Sequence, residues 1–64
     1  MKETIRNGIE WLIVWIDEAD KGFFEKDGNQ VIKKEAERAI RTNDLSLMKE
    51  KFIQLSKVFE KITN

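Results

Sequence analysis

Apolar residues recur at the spacing of a helix in three segments of this 64-residue chain, and short polar breaks separate the segments. No proline interrupts any segment, and two of the three glycines fall in the first break, Lys21–Asn29. The second break is Arg41–Asp44, where Asn43 or Asp44 suits a helix N-cap. The pattern predicts an all-α fold with helices at about residues 3–21, 29–42 and 44–63.

The first break has the composition of a turn. Gly28 is expected to take a left-handed conformation, and Asp27 or Asn29 is expected to cap the helix that follows. Two such short connections between three amphipathic helices predict an antiparallel three-helix bundle that forms a single domain over residues 1–64. A single core of this size supplies only about 3–5 kcal/mol of stability.

The third segment has the clearest amphipathic pattern. Its apolar residues share one arc of a helical wheel: Leu45, Leu47, Met48, Phe52, Leu55, Val58, Phe59 and Ile62. Lys51 interrupts the arc, and we expect its side chain to extend its ammonium group to water. Ile53 lies well off the arc. The second segment has a narrower face of small residues, which lets a neighbouring helix approach closely: Ile32, Ala36, Ala39 and Ile40.

The first segment carries more apolar residues than one helix face can bury. Its regular stripe is widened by two further residues: Ile5, Ile9, Leu12, Ile16 and Ala19, with Ile13 and Trp15. Trp11 lies at the margin of this stripe and Val14 on the far side. The apolar run Trp11–Ile16 is much shorter than the roughly 20 residues of a membrane span, so no membrane partner is expected.

Two interpretations of Trp11 and Val14 stay open at this point. In the first interpretation, Trp11 and Val14 together mark a contact surface, as exposed apolar groups often do. Alternatively, Trp11 covers an edge of the core and Val14 is an isolated exposed residue, which is common on protein surfaces.

Several kinds of reactive site are excluded by composition. The chain has neither Cys nor His, which rules out zinc fingers, disulfides, thiol nucleophiles and His-based catalytic triads. Asp17 and Asp20 share a helix face, but a hard-cation site needs six or more oxygen ligands, so no metal site is expected. The scattered glycines form no phosphate-binding loop. We therefore expect no cofactor, no catalytic residue and no enzymatic activity.

The charge balance argues against nucleic-acid binding. Twelve basic residues match twelve acidic ones, whereas nucleic-acid binders usually carry a basic excess. The second segment has a basic side: Lys33, Lys34, Arg38 and Arg41. The polar face of the third segment, however, mixes lysines with Glu50 and Glu60, and acidic groups repel phosphate. No nucleic-acid partner is expected.

The third segment also carries a specific pattern of apolar residues and lysines: Met48, Lys51, Phe52, Leu55, Val58, Lys61 and Ile62. It follows a helix that ends Ala39-Ile40-Arg41 and a short turn that contains Asp44. This combination resembles the end of the helical lid in DnaK-type chaperones, the seventy-kilodalton heat-shock family. Upstream, Glu18-Ala19-Asp20-Lys21 is similar to the end of the long lid helix in that family.

The resemblance implies a cytoplasmic, non-catalytic lid that docks on the β-subdomain of a chaperone and gates peptide exchange. Because the first lid helix packs on that subdomain, it also implies an interaction face at Trp11, Val14 and Trp15. Without its partner, such a face favours homo-oligomers formed through the first helix. The alternative is a small stand-alone helical protein, natural or designed, that acts through protein–protein interaction or self-association. The initiating Met1 favours this alternative, and the gapless pattern favours the lid.

Overall fold

The structure is a computed structural model and describes residues 2–64. It contains three helices, α1 (Lys2–Ala19), α2 (Asn29–Thr42) and α3 (Leu45–Thr63). A short 3₁₀ turn, Phe23–Glu25, lies between α1 and α2. The predicted all-α three-helix bundle is confirmed, and each helix boundary lies within two residues of its predicted position.

The helices α1 and α3 run parallel to each other. Gly8 lies against the ring of Phe52, and the ring centroids of Trp15 and Phe59 are 6.0 Å apart. Both pairs are separated by the same offset of 44 positions, so the two helices stay in register along their length.

The helix α2 runs antiparallel to the other two. Lys51 Nζ donates a hydrogen bond to Glu35 Oε1 over 2.8 Å, and Met48, earlier in α3, shares a cavity wall with Ile40, later in α2. Later residues of α3 therefore lie against earlier residues of α2. α3 packs extensively on both other helices, whereas α1 and α2 touch at few positions.

The first connection begins where the helical hydrogen bonds of α1 end. The amide of Asp20 still donates to the Ile16 carbonyl, but Gly22 then takes a φ of 82°, which turns the chain into the 3₁₀ segment. α1 consequently ends two residues before the predicted boundary. Gly28 has the expected positive φ, 87°. The predicted capping by Asp27 or Asn29 is wrong, because Asn29 Nδ2 donates instead to the Phe23 carbonyl and ties the turn to α2.

The second connection follows the predicted capping chemistry. Asn43 takes a left-handed conformation at the end of α2, and the amide of Asp44 donates back to the Ala39 carbonyl. Asp44 Oδ1 then accepts a hydrogen bond from the Leu47 amide, which makes Asp44 the N-cap of α3. The turn is therefore only two residues long and holds α2 against α3.

The core lies along the common axis of the three helices. Its buried apolar side chains are Ile9, Leu12 and Ile16 from α1, Phe24 from the turn, Ala36 and Ala39 from α2, and Met48 and Leu55 from α3. Both alanines of the narrow α2 face are fully buried in this core. Ala19 was predicted in the core stripe but is exposed, because it is the last residue of α1 and lies beyond the packed part of the helix.

Lys51 differs from its prediction. Its residue surface is only 9% accessible, and its ammonium group bonds Glu35 Oε1 and, over 3.3 Å, Gln54 Oε1. The ammonium group is therefore not extended into solvent, because Glu35 and Gln54 hold it where α2 contacts α3. A buried ammonium needs such partners, since burying an unpaired charge is costly.

Candidate interaction face

Six large apolar side chains remain exposed on the described part of the chain, with 37–57% of their surface accessible: Trp11, Val14, Trp15, Val31, Phe52 and Ile53. All of them except Val31 belong to α1 and α3. Single exposed apolar residues are ordinary, but groups of large ones often mark a contact surface.

An aromatic row crosses from α1 to α3. The rings of Trp11 and Trp15, one helical turn apart, stack with centroids 5.8 Å apart and an interplanar angle of 29°. The Trp15 ring then meets the Phe59 ring of α3 at 6.0 Å. These separations fall in the favourable range for aromatic pairs. The row therefore holds both tryptophans in defined positions, although much of their surface is exposed.

Gly8 explains how α3 contributes to the same surface. A β-carbon at this position would lie 2.9 Å from Cε1 of Phe52, so the ring occupies space that only glycine leaves open. Glycine in a helix costs about 1 kcal/mol relative to alanine. Despite this cost, glycine at position 8 permits the close contact between α1 and the Phe52 ring.

Beside Phe52, a stripe on α3 continues the surface. Lys49, Ile53, Ser56 and Glu60 recur at i, i+4, i+7 and i+11, the spacing of one helix face. We call the surface formed by Trp11, Trp15, Phe52 and Ile53 the α1–α3 face. Lys49 lies at one end of the stripe and Glu60 at the other.

The predicted interaction residues are only partly brought together. Trp11 and Trp15 are joined in the aromatic row, and Trp15, predicted to widen the core stripe, is as exposed as Val14. Val14 lies on the opposite shoulder of α1. It lines a cavity of about 350 Å³ together with Phe24 and Lys33. Val14 therefore lies outside the α1–α3 face, towards the turn and α2.

The sequence pattern does not predict the contribution of α3 to this face. Phe52 belongs to the apolar arc of the wheel, yet 37% of its surface is exposed. Ile53 lies off the arc as predicted, and that position was the available signal for an outward-facing apolar residue. The contact that joins Phe52 to α1 depends on Gly8, more than 40 positions earlier in the chain.

Two other features concern residues 2–64, metal-binding carboxylates and membrane-spanning helices. No group of three or more carboxylates in this range is arranged to hold a metal ion. Asp20 Oδ2 lies 3.5 Å from Lys26 Nζ, so this carboxylate forms an ion pair. Within the same range, no helix combines the length and apolar character needed to cross a membrane.

Comparisons with known proteins add no relative. No protein-family model matches the chain, and neither the curated proteins nor the solved structures gave a significant match.

Proposed function

We propose that this chain is a non-catalytic protein-binding module that docks on a partner through the α1–α3 face. The observation that carries the proposal is the stacked pair Trp11 and Trp15. Trp15 packs against Phe59, and about half of the surface of each tryptophan is exposed. Tryptophan is the residue type most enriched among the few side chains that dominate binding energy at protein interfaces. Phe52 and Ile53 extend the apolar surface next to this pair.

The geometry of the face also reduces the entropic cost of binding. Both tryptophans project from a regular helix and already contact other rings, so little side-chain freedom remains to be lost when a partner docks. The partner chemistry that fits is an apolar surface able to cover aromatic rings.

A narrower form of the proposal names the partner as the β-subdomain of a DnaK-type chaperone, with this chain as its lid in the cytoplasm. It is supported by the resemblance of the third helix and by the presence of the exposed tryptophans on the first. Its test is a titration of an isolated β-subdomain with the chain, followed through tryptophan fluorescence.

The general proposal is tested by removing the face while leaving the bundle intact. The double variant Trp11→Ser/Ile53→Ser alters only exposed side chains, so circular dichroism should match the wild type. We expect this variant to lose the proteins that the wild-type chain retains from a cell extract. For a single partner, the loss of one central tryptophan should weaken binding by about 30-fold or more.

The matched control is Val31→Ser. Val31 is as exposed as Ile53, at 54% against 55%, but it lies on α2 and outside the face. The control should retain the same proteins as the wild type. Equal retention by the wild type, the face variant and the control would show that binding does not use the α1–α3 face.

A further inference from the structure

We propose that the α1–α3 face docks on the same face of a second copy of this chain, with the two copies antiparallel about a two-fold axis. This inference rests on the proposed function and names the occupant of the face. It follows from the charges at the two ends of the face and from the shape of the α3 stripe.

The charges of the face differ between its two ends. Lys49 lies near the end where α1 begins, while Glu60 and Glu18 lie at the other end, past the contact of Trp15 with Phe59. Two copies packed face to face in parallel would bring Glu18 of one copy near Glu60 of the other. In the antiparallel arrangement, Lys49 of each copy opposes Glu60 of its partner, and both pairs form at once. The pairs on the α3 stripe therefore favour the antiparallel dimer. On α1 the same register brings Glu18 towards Glu3 of the other copy, so the preference comes from α3 alone.

The same register matches large residues to small ones. When Lys49 opposes Glu60 on the antiparallel α3 helix, Ile53 opposes Ser56, four positions inside each charged residue. The exposed side chain of Ile53 then faces the smallest side chain of the stripe. Facing a large residue with a small one allows close packing between helices.

The register also brings the tryptophans to the symmetry axis. The midpoint between Lys49 and Glu60 lies between positions 54 and 55, and the offset of 44 places it between positions 10 and 11 of α1. Trp11 of each copy then lies next to the axis, with Trp15 one turn away. The most exposed aromatic residue of the chain would therefore be covered at the centre of the dimer.

The size of the molecule limits the strength of this dimer. Its Cα extents are 28 × 22 × 14 Å, so no side of the backbone is larger than roughly 600 Å². Stable interfaces bury about 800 Å² on each partner, and smaller ones are typical of transient association. We therefore expect a reversible, transient dimer.

Sedimentation equilibrium on the full chain tests the inference. The average mass should rise from 7.6 kDa towards twice that value as concentration increases, and Trp11→Ser should hold it at the monomer. Lys49→Glu and Glu60→Lys should each weaken the dimer about tenfold, because each places like charges together twice. An equimolar mixture of the two variants should recover wild-type association, since it restores both pairs. Lys34→Glu on α2 changes the net charge equally and should have no effect.

Two results would overturn the inference. A wild-type chain that stays monomeric at every concentration would exclude the dimer, and charge reversals without effect would exclude the antiparallel register. Neither result would by itself remove the proposed function, because retention of other proteins through the face is measured separately. If the dimer forms but no other protein binds the face, self-association is the function of the α1–α3 face.

Discussion

Replacing Leu55 by alanine is expected to leave much of the protein unfolded at 25 °C. Leu55 is fully buried at the centre of α3, where it contributes to the core shared by all three helices. Truncating a buried leucine costs about 2–5 kcal/mol through lost burial and the cavity left behind. A single core in a domain of this size supplies only about 3–5 kcal/mol in total. Urea titration followed by far-ultraviolet circular dichroism measures the loss.

Ile53→Ala provides the matched control. Ile53 lies in the same helix, two positions away, and more than half of its surface is exposed. Its truncation should change the free energy of unfolding by no more than about 0.5 kcal/mol. Similar urea midpoints for Leu55→Ala and Ile53→Ala would contradict the placement of the core.

Replacing Phe24 by alanine should destabilise the fold by a similar or larger amount. Phe24 belongs to the turn between α1 and α2 but is buried against the core, with its ring 5.1 Å from the Phe23 ring in an edge-to-face arrangement. Truncating a buried phenylalanine typically costs about 3–5 kcal/mol. The same urea titration provides the measurement.

Phe23→Ala separates the burial of Phe24 from the general effect of changing the turn. Phe23 is only partly buried, so its truncation should cost clearly less than that of Phe24. If Phe24→Ala proved as stable as the wild type, the turn would not close the core.

Phe24 also shows where sequence reasoning ends. The three helices follow from a repeating apolar pattern, and Asp44 from a preference for capping residues. The turn has no such period, so nothing in its composition indicated that Phe24 points inward. Phe24 lies between Gly22 and Gly28, which both have positive φ angles, so its position depends on backbone turns that no periodicity predicts.

The same limit applies to contacts between distant residues. The sequence predicts that the Lys51 ammonium group extends to water. Its pairing with Glu35 is not visible in the sequence, because it depends on the alignment of α2 against α3. The α1–α3 face was anticipated only on α1, where the surplus of apolar residues is visible within a single helix. The place of Phe52 in this face depends on its contact with Gly8, which the pattern of neither helix alone predicts.

Site-specific photo-cross-linking tests most directly whether the α1–α3 face is the binding surface. Benzoylphenylalanine is placed either at Ile53, on the face, or at Val31, which is equally exposed on α2. Irradiation in cell extract should give a defined cross-linked product, with another protein or with a second copy, from position 53 and little from position 31. Equal products from both positions, or a product from position 31 alone, would contradict the assignment of this face.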